Sequence, residues 1–125
     1  MATDLVIEVD NEPGSLARVA AAISDAGVNL AAATFHGPHG ELHILVPHAE
    51  PVRHALALTH ETAIAEEREV CVVEIDDDRP GVLADLTREI ADAGINLDLV
   101  YVATHNRVVL GSQDLDKLKI VLGQA

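Results

Sequence analysis

The chain of 125 residues has a single cysteine, Cys71, and sets only 8 lysines and arginines against 21 aspartates and glutamates. One thiol excludes an intrachain disulfide, and its place within the apolar run Val70-Cys71-Val72-Val73 reads as a buried, inert side chain rather than a redox centre. The formal net charge of −13 removes the counterion-release term that drives binding to phosphate backbones, so nucleic acid and anionic membranes are excluded as partners. No apolar run approaches the roughly 18 to 20 residues of a membrane-spanning helix. Met1 to Asp10 carries acids where a signal peptide carries basic residues, so a cytoplasmic protein is expected. Aromatic residues make up only 2%, but hydrophobic residues reach 49%, enough to bury a core and offset the entropy of folding. The acidity is weighed equally as a general surface adaptation to salt.

An internal repeat organises what is present. Asn11-Glu12-Pro13-Gly14-Ser15-Leu16 returns 67 positions later as Asp78-Arg79-Pro80-Gly81-Val82-Leu83. Asp25-Ala26-Gly27-Val28-Asn29-Leu30 returns at the same interval as Asp92-Ala93-Gly94-Ile95-Asn96-Leu97. The repeat divides the chain into residues 1–68 and 69–125.

Each copy opens with an apolar strand, Leu5 to Val9 and Val70 to Ile75, followed by a Pro-Gly turn. Leu16, Val19, Ala20 and Ile23, then Leu83, Leu86 and Ile90, recur at helical spacing, and Gly27 and Gly94 follow as C-terminal stops. Hairpins come next. Val28 to Phe35 and Glu41 to Val46 flank a four-residue loop, with His36 opposite Glu41. Ile95 to Ala103 and Arg107 to Leu110 flank His105-Asn106, with Thr104 opposite Arg107. Pro51 and Asp114 open second helices, and Thr62 to Glu66 supplies a fourth strand to the first copy alone. The fold class is therefore α+β: two ferredoxin-like βαββαβ repeats with antiparallel sheets, the second lacking its last strand.

The register places Ala31, Ala33, Phe35, Leu42, Ile44 and Val46 on the core face of the first hairpin, and Thr34, His36, Glu41, His43 and Leu45 on the other. The second hairpin is apolar on both faces, which predicts that the repeats pack on one another and on a second chain, most simply as a homodimer. The strand Val70 to Ile75 is left with a bare edge, to be covered by a partner or by the strand Thr62 to Glu66.

The loops before the first helix of each copy carry the chemistry. A helix N-terminus offers unpaired N–H groups to a carboxylate. The acids and amide of Asn11, Glu12 and Asp76 to Asp78 could hold an ammonium group, and together these describe a site for an α-amino acid. The simpler alternative is that Asp and Asn only cap the turn and helix.

These two blocks, Pro-Gly-Ser/Val-Leu followed by Ala-Gly-Val/Ile-Asn-Leu, resemble the ACT domain, a regulatory module appended to many amino-acid biosynthetic enzymes, and the likeness covers nearly the whole chain as a tandem pair. The resemblance implies binding of amino acids or similar effectors at interfaces between modules, with no catalysis by the module, no catalytic residue and no cofactor. It assigns ligand contacts to Asn11, Gly14, Leu16 and Asn29 in the first copy and to Asp78, Gly81, Leu83 and Asn96 in the second. Asn11 is matched by Asp78, which has no amide donor, so the copies are not equivalent as sites. Asn29 and Asn96 could instead bridge backbone at the helix-to-strand turn.

Three other readings compete. A free-standing pair could be a ligand-independent docking subunit of an amino-acid metabolic enzyme. A His-cluster metal protein is a further alternative, because His36 and His43 share a face and His39 lies at the loop tip, but the intervals fit no zinc signature and scattered surface histidines are the simpler reading, so no metal ligand is assigned. Enzyme activity finds no nucleophile elbow, phosphate loop or paired-carboxylate motif.

Overall fold

The computed structural model describes residues 2–38, 40–58, 62–75 and 79–124, with backbone alone for 62 and 63. Two compact units result, Met1–Glu69 and Val70–Ala125.

In the first unit, β1 (Ala2–Val9), α1 (Ser15–Asp25), β2 (Ala32–His36), β3 (Glu41–Val46) and α2 (Glu50–Ala57) precede β4 (Thr62–Glu74), which continues past the unit boundary. The sheet order is β2-β3-β1-β4, the order of a split βαβ unit. His36 pairs with Glu41 as the hairpin pattern requires, and β1 runs antiparallel to β3 with Ile7 opposite Leu42. Alternate residues therefore converge on one face. Leu5, Ile7 and Val9 meet Leu42, Ile44 and Val46 there, under Val19 and Ile23 of α1 and Val52 and Leu56 of α2. Each fully buried Leu, Ile or Val contributes about 1.5 to 3 kcal/mol of transfer free energy. Arg53 of α2 donates to both carboxylate oxygens of Glu67 at 2.7 Å. That hydrogen bond, followed by the charge of Glu67, raises the Arg53 pKa above its ordinary value.

The second unit holds the rest of β4 with α3 (Val82–Asp92), β5 (Leu99–Ala103), β6 (Arg107–Gly111) and α4 (Leu115–Val121), in the order β4-β6-β5. Its core is smaller: Cys71, Ile90, Ile95, Val108, Leu110 and Leu118.

Two expectations about this half are corrected. Thr62 to Glu66 and Val70 to Ile75 are not separate strands but one 13-residue strand, β4. Glu67, Arg68 and Glu69 include no Gly, Pro or Asn that would break an extended chain. A strand cannot cover its own edge, so the strand Thr62 to Glu66 is removed as the proposed cover. Instead Gln124 Nε2 donates to the carbonyl of Val72 at 2.7 Å, tying the C-terminal segment to β4.

The second hairpin is shifted by one residue. Ala103, not Thr104, stands opposite Arg107. Thr104, His105 and Asn106 form a three-residue turn, in which His105 (φ 61°) and Asn106 (φ 55°) are both left-handed. The shift exchanges faces, as a one-residue slip must. Val108 and Leu110 therefore join the core, while Val109 pairs with Tyr101 on the opposite side. Both second-copy and first-copy hairpin strands also begin later than the apolar pattern suggests, at Leu99 and Ala32.

Candidate functional site

Both units begin their first helix on a glycine. Gly14 (φ 87°) precedes α1 and Gly81 (φ 94°) precedes α3, and neither helix has a side-chain cap at its start. A left-handed backbone at this position favours glycine, and the uncapped first turn leaves its amides without intrahelical acceptors. In the first unit Asn11 therefore does not cap the helix, and Asp76 to Asp78, the candidate caps of the second, lie outside the described residues. Partial positive charge and N–H groups face outward at both helix starts, the arrangement that receives a carboxylate.

Each start carries an arginine. In the first unit Arg18 Nη2 donates to Ser15 Oγ at 3.2 Å. Its Nη1 lies so near Gly14 that an added Cβ would stand 3.0 Å away. In the second unit Arg79, from the loop itself, lies near Gly81 and donates through Nη2 to Asp85 Oδ2 at 3.3 Å. Neither arginine is singled out by the motif. Their signal was present in the repeat, since Glu12 and Arg18 recur as Arg79 and Asp85, a charge reversal at the same two positions.

Asn11 is positioned by the hairpin loop. An added Cβ on Gly37 would meet Asn11 Oδ1 at 3.3 Å, so the amide rests against that loop. Gly40 (φ 65°) brings its own carbonyl to Val9 N at 2.7 Å, and a side chain there would strike the Val9 carbonyl. The hairpin loop and the helix start thus share one end of the first sheet. Leu16 and Leu83, one residue into each helix, are 38% and 44% exposed. Asp78 lies outside the described residues.

Asn29 and Asn96 are placed elsewhere. Each follows the C-terminal end of an 11-residue helix, about 16 Å from the start of that helix at 1.5 Å per residue. Within one unit the structure therefore brings together Asn11, Gly14 and Leu16, and separately Gly81 and Leu83, but neither Asn29 nor Asn96 joins them. The backbone at Asn96 is held by Ser112, whose hydroxyl donates to the Asn96 carbonyl at 2.8 Å and accepts from Asp114 N at 3.1 Å. Both asparagine side chains are exposed.

No helix among the described residues is long and apolar enough to cross a membrane.

Solved structures share this architecture. Protein BT0572 from Bacteroides thetaiotaomicron superposes with a TM-score of 0.78 at 22% identity, over 98% of this chain and 86% of that one. The ligand-free regulatory subunit of aspartate kinase from Thermus thermophilus gives 0.62 at 19% identity, over 99% and 91%. A putative C-terminal regulatory domain of aspartate kinase from Porphyromonas gingivalis gives 0.63 at 10% identity, over 98% and 92%. No curated protein sequence matches the chain. The sequence model of the ACT domain matches residues 3–63 and again 70–116, one match on each copy of the repeat, and the chain belongs to the ACT domain family.

Proposed function

We propose that this protein is a cytoplasmic regulatory module that binds a small α-amino acid at an interface between ACT modules, assembles as a homodimer through its sheets, and carries no catalysis of its own. The observation that carries this reading is the 11-residue α1, about 16 Å long, with Gly14 and Asn11 before its start and Asn29 beyond its end. A small amino acid cannot span that distance. A ligand that uses both the Asn11 end of one module and the Asn29 end of another must lie between two modules. The helix-start amides and Arg18 receive its carboxylate, the Asn11 amide and neighbouring acids hold its ammonium group, and Leu16 supports its side chain.

Titration calorimetry of the full chain against the proteinogenic amino acids tests this. One of them is expected to bind saturably, and Asn11→Ala and Asn29→Ala are each expected to abolish binding although the two residues lie at opposite ends of a helix. Loss with Asn11→Ala alone would confine the site to one module.

A second reading has its own support. The exposed Leu16 and Leu83 form apolar points in the first turns of α1 and α3, and two of the solved neighbours are regulatory parts of aspartate kinase. A docking subunit of an amino-acid metabolic enzyme would use these leucines against its partner. A silent amino-acid screen, together with co-purification of such an enzyme that Leu16→Ser and Leu83→Ser disrupt, would establish it.

A further inference from the structure

The core of the second unit runs out into solvent at its outermost strand. β5 is the last strand of the order β4-β6-β5, and an edge strand leaves the N–H and C=O groups of alternate residues without a ladder partner. Val100 of β5 stands opposite Leu110, and Val102 opposite Val108. Directly opposed residues share a face. The two valines therefore lie on the side of the sheet where Val108 and Leu110 are buried, yet they are 39% and 69% exposed.

Edges of this kind are usually guarded by a lysine, a proline or an inward charge. Leu99-Val100-Tyr101-Val102-Ala103 has none of these. The edge strand of the first unit, β2, is different: it ends on His36, and its one large apolar side chain, Phe35, packs against that unit's own core.

The β5 strand is complementary to itself. About a two-fold axis through Tyr101, antiparallel pairing sets Val100 of one copy against Val102 of the other, Leu99 against Ala103, and Tyr101 against Tyr101. The core row then continues from one sheet to the next, Val108 and Val102 from one copy followed by Val100 and Leu110 from the other. One residue beyond each end of the strand, Asp98 of one copy stands opposite Thr104 of the other. Arg107 holds its guanidinium at Thr104, donating through Nε to the carbonyl at 2.8 Å and through Nη2 to Oγ1 at 3.0 Å. Each end of the pairing therefore brings a carboxylate to an arginine. Asp98 also accepts from Gln113 Nε2 at 2.9 Å, and a carboxylate has acceptor sites for both. Two chains of net charge −13 repel, and these two opposite-charge contacts offset that repulsion where the copies meet.

We infer that β5 is the dimerisation strand: it pairs antiparallel with β5 of a second copy, in the register centred on Tyr101, and joins the sheets of two second units edge to edge. This rests on the homodimer reading and assigns that dimer its surface.

Sedimentation equilibrium of the full chain at micromolar concentration tests it, with circular dichroism to check that each variant folds. The wild type is expected to be a dimer. Val102→Lys places an edge lysine at an exposed position and is expected to weaken dimerisation by about 30-fold. Asp98→Arg and Arg107→Glu are each expected to weaken it, and the double variant to recover it. The register is read by oxidation. Tyr101→Cys is expected to form an intermolecular disulfide, because residue 101 meets its own copy, whereas Val102→Cys, opposite Val100, is not. Cys71 is buried and does not compete. If Tyr101→Cys does not fold, Val102→Lys carries the test. A dimer that Val102→Lys leaves intact, or one that cross-links through Val102→Cys rather than Tyr101→Cys, would overturn the β5 pairing and leave the homodimer reading standing. A monomeric wild type would overturn both.

Discussion

Glu12 and Arg18 stand in the first unit where Arg79 and Asp85 stand in the second. The backbone around them is the same, a left-handed glycine opening an 11-residue helix with no side-chain cap. The charges are reversed. In the first unit the guanidinium comes from the helix and folds back over Gly14 to the Ser15 hydroxyl. In the second it comes from the loop and reaches forward to a carboxylate on the helix. The repeat thus preserves the main-chain geometry of the helix start and varies the side chains beside it. The two loops are alike in backbone and different in electrostatics.

The strongest way to break the comparison is at the hairpins. Gly40 supports the first loop from below, with a backbone approach to Val9 that no side chain can share. Gly40→Ala adds both that clash and a left-handed alanine, and is expected to destabilise the chain on the order of 4 kcal/mol. Urea denaturation measures the loss, and amide exchange should place it in β1 and β3. The next largest effect falls on two equivalent core residues. Ile23 and Ile90, 1% and 0% exposed, occupy the same helical position in their units. Ile23→Ala and Ile90→Ala should each cost about 2 to 5 kcal/mol. The single tyrosine, Tyr101 on β5, reports the second unit, so its fluorescence transition should move with Ile90→Ala. A cost below 1 kcal/mol for either variant would remove that residue from the core.

How far the sequence carried depended on which interactions are periodic. Strand and helix order, the His36–Glu41 register and the helix-stopping glycines follow from apolar spacing and turn residues, which are local. The second hairpin did not, because its register is set by two non-glycine residues in left-handed conformations, His105 and Asn106, and nothing in their identity distinguishes a two-residue from a three-residue turn. The continuity of β4 was hidden by the repeat itself, which suggests a boundary where the backbone has none. At the site, the Pro-Gly loops were legible as motifs, but the placement of Asn29 away from them follows only from the length of α1. Arg18 and Arg79 make contacts of tertiary structure or of helical facing, which a motif does not record.

The charge reversal supplies a binding prediction of intermediate size. Arg18→Gln removes a charged donor beside the helix start, and is expected to weaken amino-acid binding by about tenfold, or roughly 1.4 kcal/mol, within the range of a charge-assisted hydrogen bond. Asp85→Asn takes the carboxylate from Arg79 and should change binding in the opposite sense, making the second loop more receptive to a carboxylate. Calorimetry on the two variants checks this. Equal effects of the same sign would mean that the loops respond to overall charge rather than to the local arrangement.

The smallest effect sharpens the comparison at the turns. Left-handed conformations disfavour residues with a Cβ, least for Asn and Asp, and not at all for Gly. The first unit meets this demand with Gly40 at φ 65°, the second with His105 at 61° and Asn106 at 55°. His105→Gly should therefore stabilise the chain by about 1 kcal/mol, and Asn106→Gly by about 0.5 kcal/mol, each reduced by the greater freedom of glycine in the unfolded chain. The Asn106 carbonyl would still accept from Ile75 N at 2.7 Å, because that bond is made by the main chain. Denaturant midpoints of the two variants measure the gain. One backbone rule then yields opposite signs in the two units, a loss when the glycine of the first hairpin is removed and a gain when one is introduced in the second. A loss on His105→Gly would show instead that the imidazole makes a contact worth more than the strain of its backbone.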